Sequence, residues 1–206
     1  MRPAELLSRA RLYFVVEAVP DELVRAALRG GVDMLQLRAK HASDDEILAA
    51  AARFRALCDA HGALFWLNDR PELALEARAD GVHVGQDDLP VAEVREQVGS
   101  RLLIGLSTHN PAQFDAALQS EADQLSVGPV WETPTKLGRP AAGLEYVRHA
   151  ASAGGERPWF AIGGIDLGNV SEVVAAGARR IVVLRAIRDA GDPEAAAAAL
   201  RAALPG

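Results

Sequence analysis

Short apolar runs alternate with helix-like runs eight times along the 206-residue chain, at a spacing of about 25 residues. Several of the apolar runs are continuous, which is typical of parallel strands that are covered on both faces. Glycine, proline or charged residues bound them. The pattern predicts strands at 12–16, 32–38, 64–67, 81–84, 102–106, 124–127, 159–162 and 180–184.

The runs between these strands carry helix start and stop signals. Ser43 and Glu46 form a capping box before a long alanine-rich helix. Asn110 followed by Pro111 is an N-cap with a first-turn proline. Helices are predicted at 21–29, 43–61, 90–98, 111–120, 144–153, 169–176 and 193–204, with a short one beginning at 71.

Eight βα units in one chain predict an α/β protein that forms a closed (β/α)8 TIM barrel, as a single domain over residues 1–206. An open doubly wound sheet is the alternative, because six of the units would suffice to build one. No G-x-G-x-x-G follows the first strand, and this weakens the alternative.

Composition and charge exclude several classes of function. The net charge of −6 argues against non-specific binding of nucleic acid or membrane surfaces, so an anionic ligand has to be held by a local basic cluster. The single cysteine, Cys58, precludes an internal disulfide and is expected to be a small buried apolar residue. From the sequence we expect no signal peptide, no membrane span and a cytoplasmic location.

A long segment without periodicity follows the sixth predicted strand. Gly128-Pro129 ends that strand, and the next helical pattern opens only at Gly143. Loops of this length in a compact domain are usually functional. Thr133, Thr135 and Lys136 supply hydroxyls and a charge, which predicts a flap that closes on an anion. A solvated surface loop is the alternative.

Polar residues follow the second strand in alternation. Gln36, Arg38 and Lys40 are expected to share one face, while Leu35 and Leu37 point to the helices. Inward polar groups need partners, and in a barrel the active site lies at the carboxyl ends of the strands. A ligand site is therefore predicted there, with a structural salt-bridge layer as the alternative.

Two aspartates stand at neighbouring strand ends. Asp69 ends the third strand and Asp88 follows the fourth. Adjacent parallel strands lie about 5 Å apart, so both carboxylates can reach one hard cation such as Mg²⁺. On spacing alone, Asp87 is an equally available ligand, and aspartates at such turns often only cap helices.

The last two strands end in features that suit a phosphate. Gly163 and Gly164 follow the seventh strand, and Arg185 to Ile187 follow the eighth. The loops after these two strands form the usual phosphate site of TIM barrels, and a residue without a Cβ lets the anion approach the backbone.

Two histidines lie near the predicted site. His83 falls within the fourth strand and is expected to be a core residue with its polar atoms satisfied. His109 follows the fifth strand, where it is either a base or a capping and packing residue. No Ser-His-Asp or Cys-His arrangement and no zinc-ligand spacing are present.

Taken in order, the motifs at the strand ends resemble those of the thiamine phosphate synthase family. The resemblance covers nearly the whole chain, and although each motif is weak alone, the ordered set is specific. The motifs are Gln36-Leu37-Arg38-Ala39-Lys40, Asn68-Asp69, Gly81 to Asp88, Gly105 to His109, Gly128 to Lys136 and Ile162 to Ile165.

The resemblance implies a transferase that joins 4-amino-5-hydroxymethyl-2-methylpyrimidine diphosphate to a thiazole phosphate, or to its carboxylated form, giving thiamine phosphate and pyrophosphate. It places Gln36 near the pyrimidine and Mg²⁺ on Asp69 and Asp88. The implied diphosphate ligands are Arg38, Lys40, Asn68, Ser107 and Lys136. All of these except Asn68 are also the implied catalytic groups. The implied thiazole phosphate ligands are Thr133, Thr135, Gly164 and the turn from Arg185 to Ile187.

The chemistry agrees with these residue types. An electron-rich aminopyrimidine can expel diphosphate from its exocyclic methylene, and the thiazole nitrogen already carries a lone pair, so no general base is required. The reaction needs charge neutralisation on the leaving group.

Two alternatives remain at this point: a thiazole tautomerase of the same barrel family, which would rely on a histidine such as His109, and a non-catalytic barrel that binds a phosphorylated metabolite. A homo-oligomer is possible in each case.

Overall fold

The structure, a computed structural model, describes residues 2–132 and 140–205. Its centre is a closed barrel of eight parallel strands in sequence order. The strands are β1 Leu12–Val16, β2 Met34–Leu37, β3 Leu64–Asn68, β4 Gly81–Val84, β5 Leu103–Thr108, β6 Gln124–Val127, β7 Trp159–Ile162 and β8 Ile181–Val183. The predicted (β/α)8 barrel is confirmed, and the open-sheet alternative is wrong because β8 pairs with β1.

Helices surround the barrel and connect the strands. They are α1 Pro3–Arg9, α2 Asp21–Arg29, α3 Asp44–His61, α4 Pro71–Glu76, α5 Val91–Val98, α6 Pro111–Ala117, α7 Gly143–Ala153, α8 Val170–Ala175, α9 Arg185–Arg188 and α10 Pro193–Ala202. No helix in residues 2–132 or 140–205 is both long enough and apolar enough to cross a bilayer.

Two helices and several element boundaries differ from the prediction; β5, for example, is Leu103–Thr108 instead of 102–106, and α6 ends at Ala117 instead of residue 120. The sequence analysis did not predict α1 or the single turn α9. The second strand begins at Met34 instead of residue 32 and ends before Arg38. Val32 still belongs to the preceding turn, because its N–H bonds to the carbonyl of Ala27 in α2.

The apolar core has two parts, separated by the wall of the barrel. Outward residues such as Leu35 and Leu37 pack against the helices, as predicted. Inward residues fill the lower half of the barrel, and α1 closes its amino-terminal mouth with the buried side chain of Leu7. The interior set is Leu7, Ala10, Tyr13, Val15, Met34, Leu64, Trp66, Phe160 and Val182.

Three aspartates at the amino-terminal rim join strands in pairs. Each stands directly before an even-numbered strand and exchanges two hydrogen bonds with one residue of the preceding odd-numbered strand. The carboxylate accepts that residue's N–H, and the aspartate N–H donates to its carbonyl. We call these contacts strand clamps: Asp33 with Leu12 (2.9 and 2.9 Å), Asp80 with Phe65 (2.8 and 2.7 Å) and Asp123 with Ile104 (2.8 and 2.7 Å).

Each clamp carboxylate also faces an arginine. The nitrogen–oxygen distances are 3.4 Å for Arg201 and Asp33, 2.6 Å for Arg55 and Asp80, and 2.7 Å for Arg95 and Asp123. The two shorter contacts are charge-assisted hydrogen bonds, which are the stronger ones. The lower rim therefore serves stability, as expected at the end of a TIM barrel that lies opposite the active site.

Cys58 gives a direct test of packing in the outer core. Its side chain is fully buried in α3, and burial raises the pKa of the thiol to about 12. At pH 8 only about one thiol in 10⁴ would then be ionised, and the thiolate is the reactive form. We expect no reaction with a disulfide reagent such as DTNB at pH 8 in the folded protein, and one equivalent after denaturation in guanidinium. Prompt reaction of the native protein would contradict the packing.

Candidate functional site

A cavity of about 310 Å³ opens at the carboxyl-terminal end of the barrel. All eight strands, or the segments that directly follow them, contribute to its wall. Seven residues that the sequence analysis assigned to the site line it: Gln36, Arg38, Asn68, Ser107, Gly163, Gly164 and Arg185. The cavity has the position that active sites take in this fold.

Three other predicted residues, Thr133, Thr135 and Lys136, lie outside the described part of the chain. The flap prediction therefore remains a prediction. The described start of this loop, residues 130–132, is docked on the end of β7. The N–H of Val130 donates to the carbonyl of Ile162 at 2.8 Å, and the N–H of Trp131 donates to the carbonyl of Gly163 at 3.1 Å.

Asp69 and Asp88 meet at the rim beside the cavity. The carboxylate of Asp88 interacts with that of Asp69 and also accepts the N–H of Gly85 at 2.7 Å. The pKa of Asp69 lies above its ordinary value, because burial disfavours the charged form and Asp88 adds repulsion. The attraction of Lys40, 2.9 Å away, acts in the opposite direction.

The backbone of Asp69 is held in an unusual conformation. Its φ is 63°, in the left-handed region, and its N–H donates to the carbonyl of His83 at 2.8 Å. Aspartate tolerates this region better than most residues but at some cost in energy, and such residues concentrate at functional sites. The conformation fixes the carboxylate at the mouth of the barrel.

The donor set suits a hard cation that keeps other ligands. No group of three or more histidine, cysteine, aspartate or glutamate side chains gathers as a metal site among the residues that the structure describes. A protein that holds Mg²⁺ commonly supplies one or two carboxylates and leaves the other positions to water and substrate phosphate. The adjacent carboxylates of Asp69 and Asp88 fit that requirement, whereas Asp87 is exposed beside them.

Lys40 lies at the edge of the site. It follows the end of β2 and lines a smaller pocket next to the main cavity, together with Asn68 and Asp69. Asn68 belongs to both pockets and so marks their boundary. Arg38, by contrast, lines the main cavity itself.

Hydrogen bonds between side chains organise the polar wall of the cavity. Gln36 Nε2 donates to the hydroxyl of Tyr13, which the hydrophobic interior buries. His83 Nε2 lies 2.9 Å from Ser107 Oγ, and Gln86 Nε2 donates to the carbonyl of Ser107 at 2.7 Å. The wall is therefore largely pre-formed.

Gly163 and Gly164 are needed for a reason that the sequence did not reveal. Their φ values are 108° and 69°, which disfavour any side chain. A Cβ on Gly163 would lie 2.5 Å from the Cα of Pro129, and one on Gly164 would lie 2.9 Å from the Cβ of Trp131. The close passage of the loop after β6 thus requires glycine here, whether or not a phosphate binds.

We expect Gly163→Ala to lower the free energy of unfolding by about 2–4 kcal/mol, because left-handed strain and overpacking add. Chemical denaturation measures this change. Gly62→Ala is the matched control: Gly62 has φ 68°, but a Cβ at this position would have nothing within 4 Å. It should cost only about 1 kcal/mol. Equal losses in the two variants would contradict the contact with Pro129.

The turn after β8 differs in part from the prediction. Arg185 and Ala186 line the cavity, but Ile187 does not. The side chain of Ile187 is fully buried in the outer core, and its N–H bonds to the carbonyl of Leu184 at 3.3 Å. The short helix α9 turns Ile187 away from the cavity, so Ile187 is not available as a phosphate ligand in this arrangement.

His109 has structural partners on both sides. Its ring Nδ1 donates to the carbonyl of Gly128 at 2.7 Å, and its backbone N–H donates to Gln113 Oε1 at 2.8 Å. The imidazole therefore ties the end of β5 to the start of the loop after β6. This geometry favours the packing role over that of a base.

The sequence analysis missed several residues of the wall, among them Tyr13, Ser126 and Asp166. Tyr13 was missed because it belongs to an apolar run. Strand alternation nevertheless places Tyr13 on the same face as Val15, and Val15 is paired with Gln36 in the neighbouring strand. Ser126 lies opposite Ser107 in the register of β5 and β6. The pairing register between neighbouring strands therefore identifies residues of the cavity wall that cannot be recognised from each strand alone.

Comparison with known proteins gives consistent similarities. The family described as thiamine monophosphate synthase matches residues 12–187. The thiamine-phosphate synthase of Thermus thermophilus is 56% identical over 204 residues, covering 95% of this chain and 98% of that protein. The corresponding enzyme of Acidothermus cellulolyticus is 52% identical, with 96% of each chain covered. The solved thiamine phosphate pyrophosphorylase of Pyrococcus furiosus superposes with a TM-score of 0.88 at 33% identity, covering 96% of each chain.

Proposed function

The chain belongs to the thiamine monophosphate synthase family, and from this premise we propose how its residues divide the work of the thiamine-phosphate synthase reaction. The enzyme is a transferase of thiamine biosynthesis, and neither the tautomerase nor the binding-only alternative is favoured. In the proposed reaction, the pyrimidinylmethyl group passes from diphosphate to the nitrogen of a thiazole phosphate, or of its carboxylated form. The products are thiamine phosphate and pyrophosphate.

The observation that carries the proposal is the acidic pair beside a cation-lined cavity. Asp69 and Asp88 lie at the mouth, with Lys40 on Asp69 and Arg38 in the adjoining wall. In a chain of net charge −6, cations grouped here supply the local positive field that an anionic substrate needs.

The leaving diphosphate would be held by Arg38, Asn68 and Ser107 from the wall, with Lys40 at the rim and Lys136 from the loop. Asp69 and Asp88 would hold Mg²⁺, which supplies neutralisation of the charge that grows on the leaving group. Each basic or hydroxyl donor stabilises the same developing charge, so these groups matter most as the bond breaks.

The pyrimidine would rest against Gln36, whose amide is held by the buried hydroxyl of Tyr13. The carbon–oxygen bond to diphosphate breaks and leaves a cation that the aminopyrimidine ring stabilises. The thiazole nitrogen then donates its lone pair to the exocyclic carbon. No proton moves between carbon or nitrogen atoms, so no general base takes part.

The thiazole phosphate would lie at the other side of the cavity. Gly163, Gly164 and Arg185 line that side, where Arg185 adds a guanidinium suited to a phosphate. Thr133 and Thr135 would complete the set from the loop after β6. Ile187 would contribute only if the turn after β8 rearranged.

The direct test is incubation of the protein with both substrates and Mg²⁺, with thiamine phosphate and pyrophosphate measured together. We expect the two products in equal amounts. Isomerisation of a carboxylated thiazole phosphate without the pyrimidine substrate would instead indicate a tautomerase. Binding of the phosphorylated compounds without any product would indicate a non-catalytic barrel.

The role of His109 gives a sharper prediction. Because the nucleophile needs no deprotonation, His109→Ala should keep turnover within about tenfold of the wild type, which is less than the loss of a general base usually costs. Steady-state kinetics with both substrates measure this. A loss of about 10³-fold with the fold intact would mean that proton transfer limits the reaction.

We further propose that the enzyme acts in the cytoplasm on small molecules alone, without nucleic acid or membrane partners. The negative net charge supports this proposal.

A further inference from the structure

A hydrogen bond inside the barrel joins neighbouring strands just below the predicted diphosphate site. Nε2 of His83 in β4 lies 2.9 Å from Oγ of Ser107 in β5. Both residues are buried, and both line the cavity. The proposed reaction does not otherwise use His83.

The imidazole reaches Ser107 across a glycine. In the strand register His83 is opposite Gly105, two positions before Ser107. A Cβ on Gly105 would lie 2.4 Å from Nδ1 of His83 and 2.5 Å from Oε1 of Gln124. Any larger residue at position 105 would displace the ring, so the sequence of β5 provides the space that the contact requires.

The direction of this hydrogen bond follows from what Ser107 has to do. A serine hydroxyl has one proton, and a diphosphate oxygen only accepts hydrogen bonds. Ser107 can therefore hold a diphosphate only by donating that proton to it. The bond to His83 must then run the other way, with Nε2–H donating to Oγ. The reverse direction would turn the lone pairs of the hydroxyl toward the anion.

We propose that His83 is a positioning residue for the synthase reaction: its Nε2–H fixes the Ser107 hydroxyl so that the hydroxyl proton points at the leaving diphosphate. The inference rests on the proposed function, because it takes Ser107 as a diphosphate ligand. A donor oriented in advance needs no reorganisation when charge develops on the leaving group. The effect of His83 therefore falls on kcat and kcat/KM together.

The backbone around this contact is held by other groups. The carbonyl of His83 accepts the N–H of Asp69 at 2.8 Å, and the carbonyl of Ser107 accepts from Gln86 Nε2 at 2.7 Å. Neither bond uses the imidazole or the hydroxyl. Substitution of the His83 side chain therefore tests its contact with Oγ and leaves these anchors of the site in place.

The test is a double-mutant cycle between His83 and Ser107, with two amides at position 83. Glutamine places its Nε2 four bonds from Cα, as histidine does, whereas asparagine is one bond shorter and falls short of Oγ. We expect Ser107→Ala to reduce kcat/KM by about 10²-fold and His83→Asn by about tenfold. The double variant should lie within about threefold of Ser107→Ala, because residues that act as a unit are not additive. His83→Gln should stay within about threefold of the wild type.

Three results would overturn the role of His83. If the loss of kcat/KM in the double variant equals the product of the two single-variant losses, His83 acts independently of Ser107. Equal losses for His83→Gln and His83→Asn would exclude donation from the Nε2 position. Unchanged kinetics in His83→Asn would show that Ser107 needs no positioning. Tyr146→Phe, which removes a buried hydroxyl bond of 2.6 Å to Thr108 Oγ1, is the control for general loosening, and its kinetics should match the wild type.

Calorimetric binding of inorganic pyrophosphate to the same variants separates this inference from the proposed function. Coupled losses of affinity at His83 and Ser107 would support the positioning role even if the wild type made no thiamine phosphate. The wild type could turn over while Ser107→Ala keeps full activity and full affinity for pyrophosphate. That result would support the synthase activity and overturn the role of His83.

Discussion

Replacing Asp69 by alanine is expected to reduce thiamine phosphate formation by at least about 10²-fold, equivalent to about 2.7 kcal/mol of barrier. Asp69 and Asp88 form the acidic pair at the mouth of the cavity, and the loss of either would leave the proposed Mg²⁺ with a single carboxylate. Asp88→Ala should have a similar effect. Chelation with EDTA should abolish turnover in the wild type.

Two controls separate this effect from misfolding. Asp87→Ala removes an exposed carboxylate from the same loop and should have a much smaller effect. Asp69→Gly removes the carboxylate but accepts the φ of 63° without strain, so the variant should fold at least as stably as Asp69→Ala. Full activity in EDTA, or in the glycine variant, would overturn the metal assignment.

The second large effect concerns stability. Asp80→Ala is expected to lower the free energy of unfolding by about 3–5 kcal/mol, because it breaks a largely buried ion pair and leaves the N–H of Phe65 without its acceptor. Asp80 clamps β3 to β4 through Phe65 and pairs with Arg55, whose side chain is 16% exposed. The substitution would leave both the guanidinium and a backbone N–H without this partner. For a chain of this length, the melting temperature should fall by about 10 °C.

Asp59→Ala is the matched control for Asp80→Ala. Asp59 also pairs with Arg55, at 2.8 Å, but its side chain is 67% exposed. Exposed ion pairs contribute at most about 1 kcal/mol, so this variant should melt close to the wild type. Calorimetry or circular dichroism of the two variants gives the comparison. Equal shifts would mean that the arginine contact, and not the strand clamp, accounts for the loss.

The barrel was largely predictable from the sequence because its signals are local. Most strands are short apolar runs, and some helices carry their own caps, such as Ser43 and Asn110, whose side chains accept the expected backbone N–H groups. The helix α1 was missed because its role is tertiary: it closes the barrel through one buried leucine, Leu7. The start of β2 was misplaced by two residues for a similar reason, since a turn hydrogen bond holds Val32.

The site was predictable where strand order decides proximity. Asp69 and Asp88 belong to adjacent strand ends and do meet. Predictions failed where packing between distant segments decides. The orientation of Ile187 depends on the turn α9, and the need for glycine at position 163 arises from contact with Pro129, which follows a different strand. The sequence places Gly163 at a strand end but does not reveal its neighbour.

The strand clamps join some neighbouring strands of the barrel wall and not others. They fasten β1 to β2, β3 to β4 and β5 to β6, but the corresponding position before β8 is Arg180, which brings no carboxylate to β7. Only two register pairs join β7 to β8. The barrel thus has a seam there, and partial opening along it would separate Gly163 from Arg185. The side of the cavity that we propose for the thiazole phosphate would then lose its shape first, while the acidic pair at the end of β3 and β4 stayed in place.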